Sequence, residues 1–160
     1  MQTSRRTYIL VVLVTVVSIL HHTDHVLRVD HSGWPFTPDV NPFTVSVILA
    51  YSISAFVLFV RGRLWAKFWL LLAGYIATQT AHIFIETPMA QYTTWALNAS
   101  QDPETFGQPN LLGIAAPLLG WIAVTISILL SVVLVLATVS AFVDARLATR
   151  EQPQPHQDMA

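Results

Sequence analysis

Long apolar stretches separate the charged residues of this chain. Between Arg6 and Asp24 there are 17 residues without Asp, Glu, Lys or Arg; between Asp39 and Arg61 there are 21, between Lys67 and Glu86 18, and between Glu104 and Asp144 39. The Val, Ile and Leu runs inside these gaps do not alternate with polar residues, so they read as helices and not as barrel strands. A helix rises ~1.5 Å per residue, so about 20 residues cross a ~30 Å hydrocarbon core. Backbone groups in lipid must bond within their own segment. The pattern predicts an all-α, integral membrane four-helix bundle with spans at about 7–28, 43–61, 65–86 and 115–142. The first gap reaches spanning length only if its helix carries His21, His22 and His25 into the outer membrane region. The last gap is too long for one span, and Pro103, Pro109 and Pro117 place its first part in a loop.

Composition agrees. Of 160 residues 54% are hydrophobic and 11% charged, against roughly 25% charged in an ordinary soluble domain. That balance excludes a conventional nucleic-acid binder and makes membrane lipid the first partner. The chain has no cysteine, which excludes disulfides, thiol catalysis, Cys-ligated zinc, Fe–S clusters and covalently attached c-type haem. Residues 1–145 read as one four-span domain. The Pro/Gln-rich segment in 146–160 reads as a disordered cytoplasmic tail.

Orientation follows from the basic residues. Arg5 and Arg6 precede the first span, Arg61, Arg63 and Lys67 lie between the second and third, and Arg146 and Arg150 follow the fourth. Seven of the eight basic residues thus fall on one side, with Arg28 opposite. Both termini are expected in the cytoplasm of a multi-pass cell-membrane protein. The loops at about 29–42 and 87–114 then face the periplasm or exterior. The segment from Ser4 to Leu10 resembles a twin-arginine export signal, but the apolar stretch lacks a clear cleavage site and reads as an uncleaved anchor.

The candidate chemistry lies at the outer helix ends. His21, His22 and His25 are three or four residues apart and share an arc of the first helix, with Asp24 among them. His82 and Glu86 are one turn apart on the third helix, and the alternating topology brings both sets to one membrane level. His21, His22, His25 and His82, in some subset, with Glu86, form a candidate set of ligands for a divalent transition metal such as Zn, Fe or Cu. Glu86 and Asp24 are the candidate catalytic carboxylates, and Asp24, Asp30 or Gln79 could orient an imidazole. Haem held between a first-helix histidine and His82 is a further option. His21-His22-x-x-His25 resembles, in reverse order, one histidine box of membrane di-iron desaturases and hydroxylases. Those enzymes carry several boxes and this chain has one, which excludes membership. Arg28 reads as a snorkelling side chain with a carboxylate partner, Asp24, Asp30 or Glu86. Pairing with Glu86 would compete with metal for that carboxylate. Trp34, Trp65, Trp69 and Trp95 read as interface residues, and the loop around Trp34 as an anchor or a lid.

Three functions fit these features. The first is a metal-dependent hydrolase or oxidoreductase acting on a lipid-like or amphipathic substrate. The second is a metal-free acid–base isomerase or cyclase of an apolar substrate. The third is a non-enzymatic accessory subunit of a larger membrane complex, or a homo-oligomer. The fourth helix, nearly free of ionisable groups before Asp144, reads as a lipid-facing or scaffold helix, or equally as a contact for a partner protein.

Overall fold

In the computed structural model, residues 2–28, 42–103 and 105–151 are described. Five helices occur among them and no strand: α1 (Arg5–Arg28), α2 (Pro42–Phe59), α3 (Leu64–Phe84), α4 (Pro88–Leu97) and α5 (Pro117–Arg150). Asp30, His31, Trp34 and the lid reading of that loop lie outside the described residues, as does 152–160.

Local chemistry sets the helix ends. The Ser4 hydroxyl accepts from the Thr7 amide (3.2 Å) and caps α1. Thr87 caps α4 by accepting from Ala90 N, with Pro88 at the first helical position, and Pro117 opens α5 in the same way. The chain turns from α2 to α3 through Gly62 and Arg63, both left-handed (φ +65° and +52°).

α5 is the central element. It packs along α1, α3 and α4, while α2 touches both α1 and α3. Of the two readings of this helix, lipid-facing or scaffold, the packing agrees with scaffold, while Leu118, Trp121, Ile128 and Val139 keep an exposed apolar face. Its small residues Ala123, Ala137, Ala141 and Ala145 are buried and let neighbouring backbones approach. The closest approach is at Gly120, where a Cβ would lie 2.8 Å from the Tyr92 carbonyl oxygen of α4. α5 also runs on through Arg150, about 50 Å in 34 residues, so 146–150 are helix and not tail. The charge gap had marked the end of the apolar stretch, but Asp144 is buried inside the fold and does not end the helix.

The core is formed by Val11, Val14, Val17, Val57, Leu71, Leu130, Val133 and Leu134 with alanines of α5. The outside is as apolar as the inside: Phe84, Phe59 and Leu118 are each more than two-thirds exposed, whereas Arg28, Gln91, Thr7 and Thr94 are fully buried. Water would not favour that distribution; lipid would. α1 and α5 are each long and apolar enough to cross a membrane. α3 and α4 together make a third candidate, bent by 56° at their junction. α2 is apolar but only 18 residues long, because the turn at Gly62 and Arg63 cuts it short of the predicted end at 61. α4 lies within residues 87–114, which the charge pattern reads as loop, so the helix is a correction to that reading.

A polar knot ties the two chain ends together. Asp144 Oδ2 accepts from Ser4 N (2.9 Å) and Thr7 Oγ1 (2.8 Å), and Thr7 Oγ1 lies 2.6 Å from Ser140 Oγ. Buried Lys67 donates to Thr3 Oγ1 (2.6 Å) and to the Val57 carbonyl in the last turn of α2 (2.8 Å). The starts of α1 and α3 and the ends of α2 and α5 thus share one end of the molecule, the end that carries Arg5, Arg6, Arg61, Arg63, Arg146 and Arg150.

Candidate metal centre

At the opposite end, α1 and α3 face one another between α2 and α5. His21 and His25 project from one face of α1 and His82 reaches across from α3. The Nε2 atoms of His25 and His82 lie 3.1 and 3.2 Å from His21 Nε2. Glu86, just past the end of α3, places Oε2 2.9 Å from His25 Nε2. His21, His82 and Glu86 each bring a ligand atom within 4.8 Å of the others. His21, His25 and Glu86 are buried, and His82 is half-buried.

Other side chains hold this arrangement. Ser127 Oγ of α5 lies 3.3 Å from His21 Nδ1, 2.9 Å from Gln91 Oε1 and 3.2 Å from the Ala123 carbonyl. A hydroxyl has one proton, and both oxygens compete for it. When Ser127 donates to either oxygen it faces His21 as an acceptor, and a proton on Nδ1 then leaves the Nε2 lone pair directed at the other imidazoles. On the far side, fully buried Arg28 joins two carboxylates. Its Nε donates to Asp24 Oδ2 (2.7 Å), and its Nη2 donates to Glu86 Oε1. The other Asp24 oxygen, Oδ1, accepts from Trp95 Nε1 of α4 (2.8 Å). Glu86 is thereby divided: Oε1 belongs to Arg28 and Oε2 faces the histidines.

The candidate residues thus separate into two groups. His21, His25, His82 and Glu86 converge. His22 turns towards α2, where Nδ1 lies 3.0 Å from the Tyr51 hydroxyl and the ring packs edge-on against Phe43. Asp24 has both oxygens engaged by Arg28 and Trp95, outside the imidazole cluster. Gln79 donates to Ser131 Oγ (2.9 Å) and not to a histidine. Arg28 is not snorkelling: it is buried and holds both Asp24 and Glu86. Trp95 is buried too, and not at an interface.

The sequence reading does not include Ser127 and Gln91, and it gives Trp95 no place beside Asp24. A signal for Gln91 and Trp95 was present: Thr87-Pro88 is a helix start, and Gln91, Thr94 and Trp95 then share one face. Nothing in the sequence marked Ser127, one hydroxyl among the apolar residues of α5.

Beneath the cluster lies a partly open cavity of about 120 Å³, walled by α1, α2, α3 and α5. His21, His22, His25, His82 and Glu86 line one end, and Val14, Leu71, Leu130 and Leu134 line the other. The arrangement can therefore present imidazole nitrogens and one carboxylate oxygen to a molecule with an apolar body. No protein-family model matches the chain, and neither does any curated protein or solved structure.

Proposed function

We propose that this is a multi-pass membrane protein whose four long helices form a bundle with both termini in the cytoplasm. In this reading His21, His25, His82 and Glu86 bind a divalent transition metal on the non-cytoplasmic side and act there on an amphipathic substrate. The orientation rests on the basic residues gathered at the knotted end. The metal reading rests on one observation, the approach of ligand atoms of His21, His82 and Glu86 to within 4.8 Å of one another, with His25 Nε2 beside His21 and Glu86. One lone pair on His21 Nε2 faces two other ring nitrogens, an arrangement that protons satisfy poorly. Nitrogen ligands at ~2.0–2.1 Å in a tetrahedral site are separated by about 3.3 Å, close to the 3.1 and 3.2 Å observed.

Three imidazoles and a carboxylate suit Zn, Fe or Cu. Haem fits less well: nitrogens this close leave no space for a porphyrin between them, and the cavity is smaller than the macrocycle. A bound divalent ion would supply Lewis-acid polarisation of an oxygen or, for iron or copper, electron transfer. The chain's own residues do the rest. Arg28 holds Glu86 to a single available oxygen, Ser127 fixes the His21 tautomer, and the apolar walls exclude bulk water.

The Arg28–Glu86 pair also favours a second reading. Arg28 already neutralises Glu86, and the His25–Glu86 contact could move a proton without any metal. Elemental mass spectrometry of gently purified protein, beside His82→Ala, separates the two. Near-stoichiometric metal that disappears in the variant supports the metal centre. Metal absent from both overturns it and leaves the proton-transfer reading.

A further inference from the structure

The cavity below the histidines carries more than apolar walls. Ser18 lies one turn before His21 on α1, and Thr78 one turn before His82 on α3. Ser54 of α2 completes a ring of hydroxyls at the cavity wall. Ser18 and Ser54 are buried at 4% and 6% exposure.

Serine and threonine inside a helix commonly bond the carbonyl four residues back. Thr15, Thr23, Thr125, Ser131 and Thr138 all do so here. Ser18 and Ser54 make no such bond and no other hydrogen bond among the described residues. Neither oxygen belongs to the fully buried unpartnered atoms, so each stays reachable from the cavity that both residues line and can take its partner from whatever occupies it. The cavity thus has three levels: imidazoles and a carboxylate, then hydroxyls, then an apolar floor.

Size narrows the occupant. A cavity of roughly 150 Å³ holds a benzene molecule, and this one, at about 120 Å³, is slightly smaller. It is far too small for a fatty acyl chain. Charge narrows it further: apart from Glu86 and the histidines, the lining is hydroxyl and apolar, and Arg28 stands behind Glu86 and outside the lining.

We infer that the cavity binds the compact, uncharged, oxygen-bearing end of its ligand, an alcohol or carbonyl group on a small apolar body. Ser18 and Ser54 hold that oxygen one turn below the imidazoles. Any long hydrocarbon tail stays outside, in the bilayer. The inference rests on the proposed site only in taking this occupant as its substrate; the binding itself is read separately.

The test uses the full chain in lipid nanodiscs with benzyl alcohol as probe, followed by saturation-transfer NMR. Toluene, the same body without the hydroxyl, is the comparison. Ser18→Ala and Ser54→Ala remove the hydroxyls with little change of volume, and Ala50→Phe fills the cavity from α2. Partitioning into lipid is non-saturable and common to all variants, so the saturable part reports the cavity. Saturable benzyl alcohol binding is expected, weakened about tenfold by either serine variant and abolished by Ala50→Phe. Toluene should not distinguish wild type from Ser18→Ala. Benzyl alcohol binding that is insensitive to both serine variants, or no tighter than that of toluene, would overturn the inference. So would the absence of saturable binding, the result for a cavity filled by water alone. Metal content is measured on the same samples. Probe binding retained in metal-free protein would sink the metal centre and leave the cavity assignment standing.

Discussion

Arg28→Met tests the buried charge cluster most directly. Methionine keeps much of the apolar stem and removes the guanidinium from between two carboxylates. In the native fold one positive charge faces Asp24 and Glu86 with no exposure of its own. After substitution Asp24 keeps the Trp95 indole and Glu86 keeps His25, but two negative charges remain buried. Breaking a buried pair by removing one partner costs about 3–5 kcal/mol. For a chain of this length that corresponds to a fall in Tm of about 6–20 °C. The assay is thermal unfolding in detergent, followed by tryptophan fluorescence. Arg28→Lys should fall in between, because an ammonium is a point charge and cannot serve both carboxylates as a planar fork does. A divalent ion beside Glu86 restores positive charge, so saturating metal should recover about 3 kcal/mol at a hundredfold excess over Kd. A metal-free loss below ~1 kcal/mol would refute the reasoning, since that is the scale of a solvated surface pair.

Four further outcomes follow from the same geometry. Ser127→Ala should leave helix content unchanged and lower metal affinity about 10–100-fold in a competition titration, because the His21 tautomer is no longer fixed. Gly120→Ala should cost about 1–3 kcal/mol in thermal unfolding, since its Cβ would meet the Tyr92 backbone and lift α4. Bound metal should be released on acidification, because ligating imidazoles must be unprotonated; dialysis at stepped pH with elemental analysis would show it. Arg63→Gly should raise Tm by up to about 4 °C by relieving a left-handed backbone at a non-glycine residue.

The sequence displayed the long helices through their charge gaps, because excluding charge from lipid leaves a visible silence in the chain. Helical spacing put His21, His22 and His25 on one arc of the first helix and His82 one turn from Glu86 on the third, but not the two helices side by side. It did not separate His22 from His21, since both fall within the same arc and only the Tyr51 contact from α2 shows which way His22 turns. For Arg28 the sequence offered the carboxylate partners Asp24 and Glu86 but not the burial, and Trp95 read as an interface residue because tryptophan is common at membrane surfaces and its partner Asp24 is 71 residues away. For α5 the sequence left lipid-facing and scaffold readings both open, because apolarity alone does not tell a lipid-facing helix from a central one and the burial of its alanines depends on what packs against them.

The two polar clusters at opposite ends of α1 have a consequence for bilayer thickness. Thr7, held by Ser140 and Asp144, and Arg28, held to Glu86, are separated along α1 by about 31 Å at ~1.5 Å per residue. That is nearly the ~30 Å of an average hydrocarbon core. With both ends of α1 fastened to other helices, the helix cannot slide to follow a thinner or thicker membrane. Mismatch must be absorbed by tilting the whole assembly or deforming the lipid around it. The fastening at both ends turns this protein into a ruler of fixed length, suited to membranes of one thickness and strained in others.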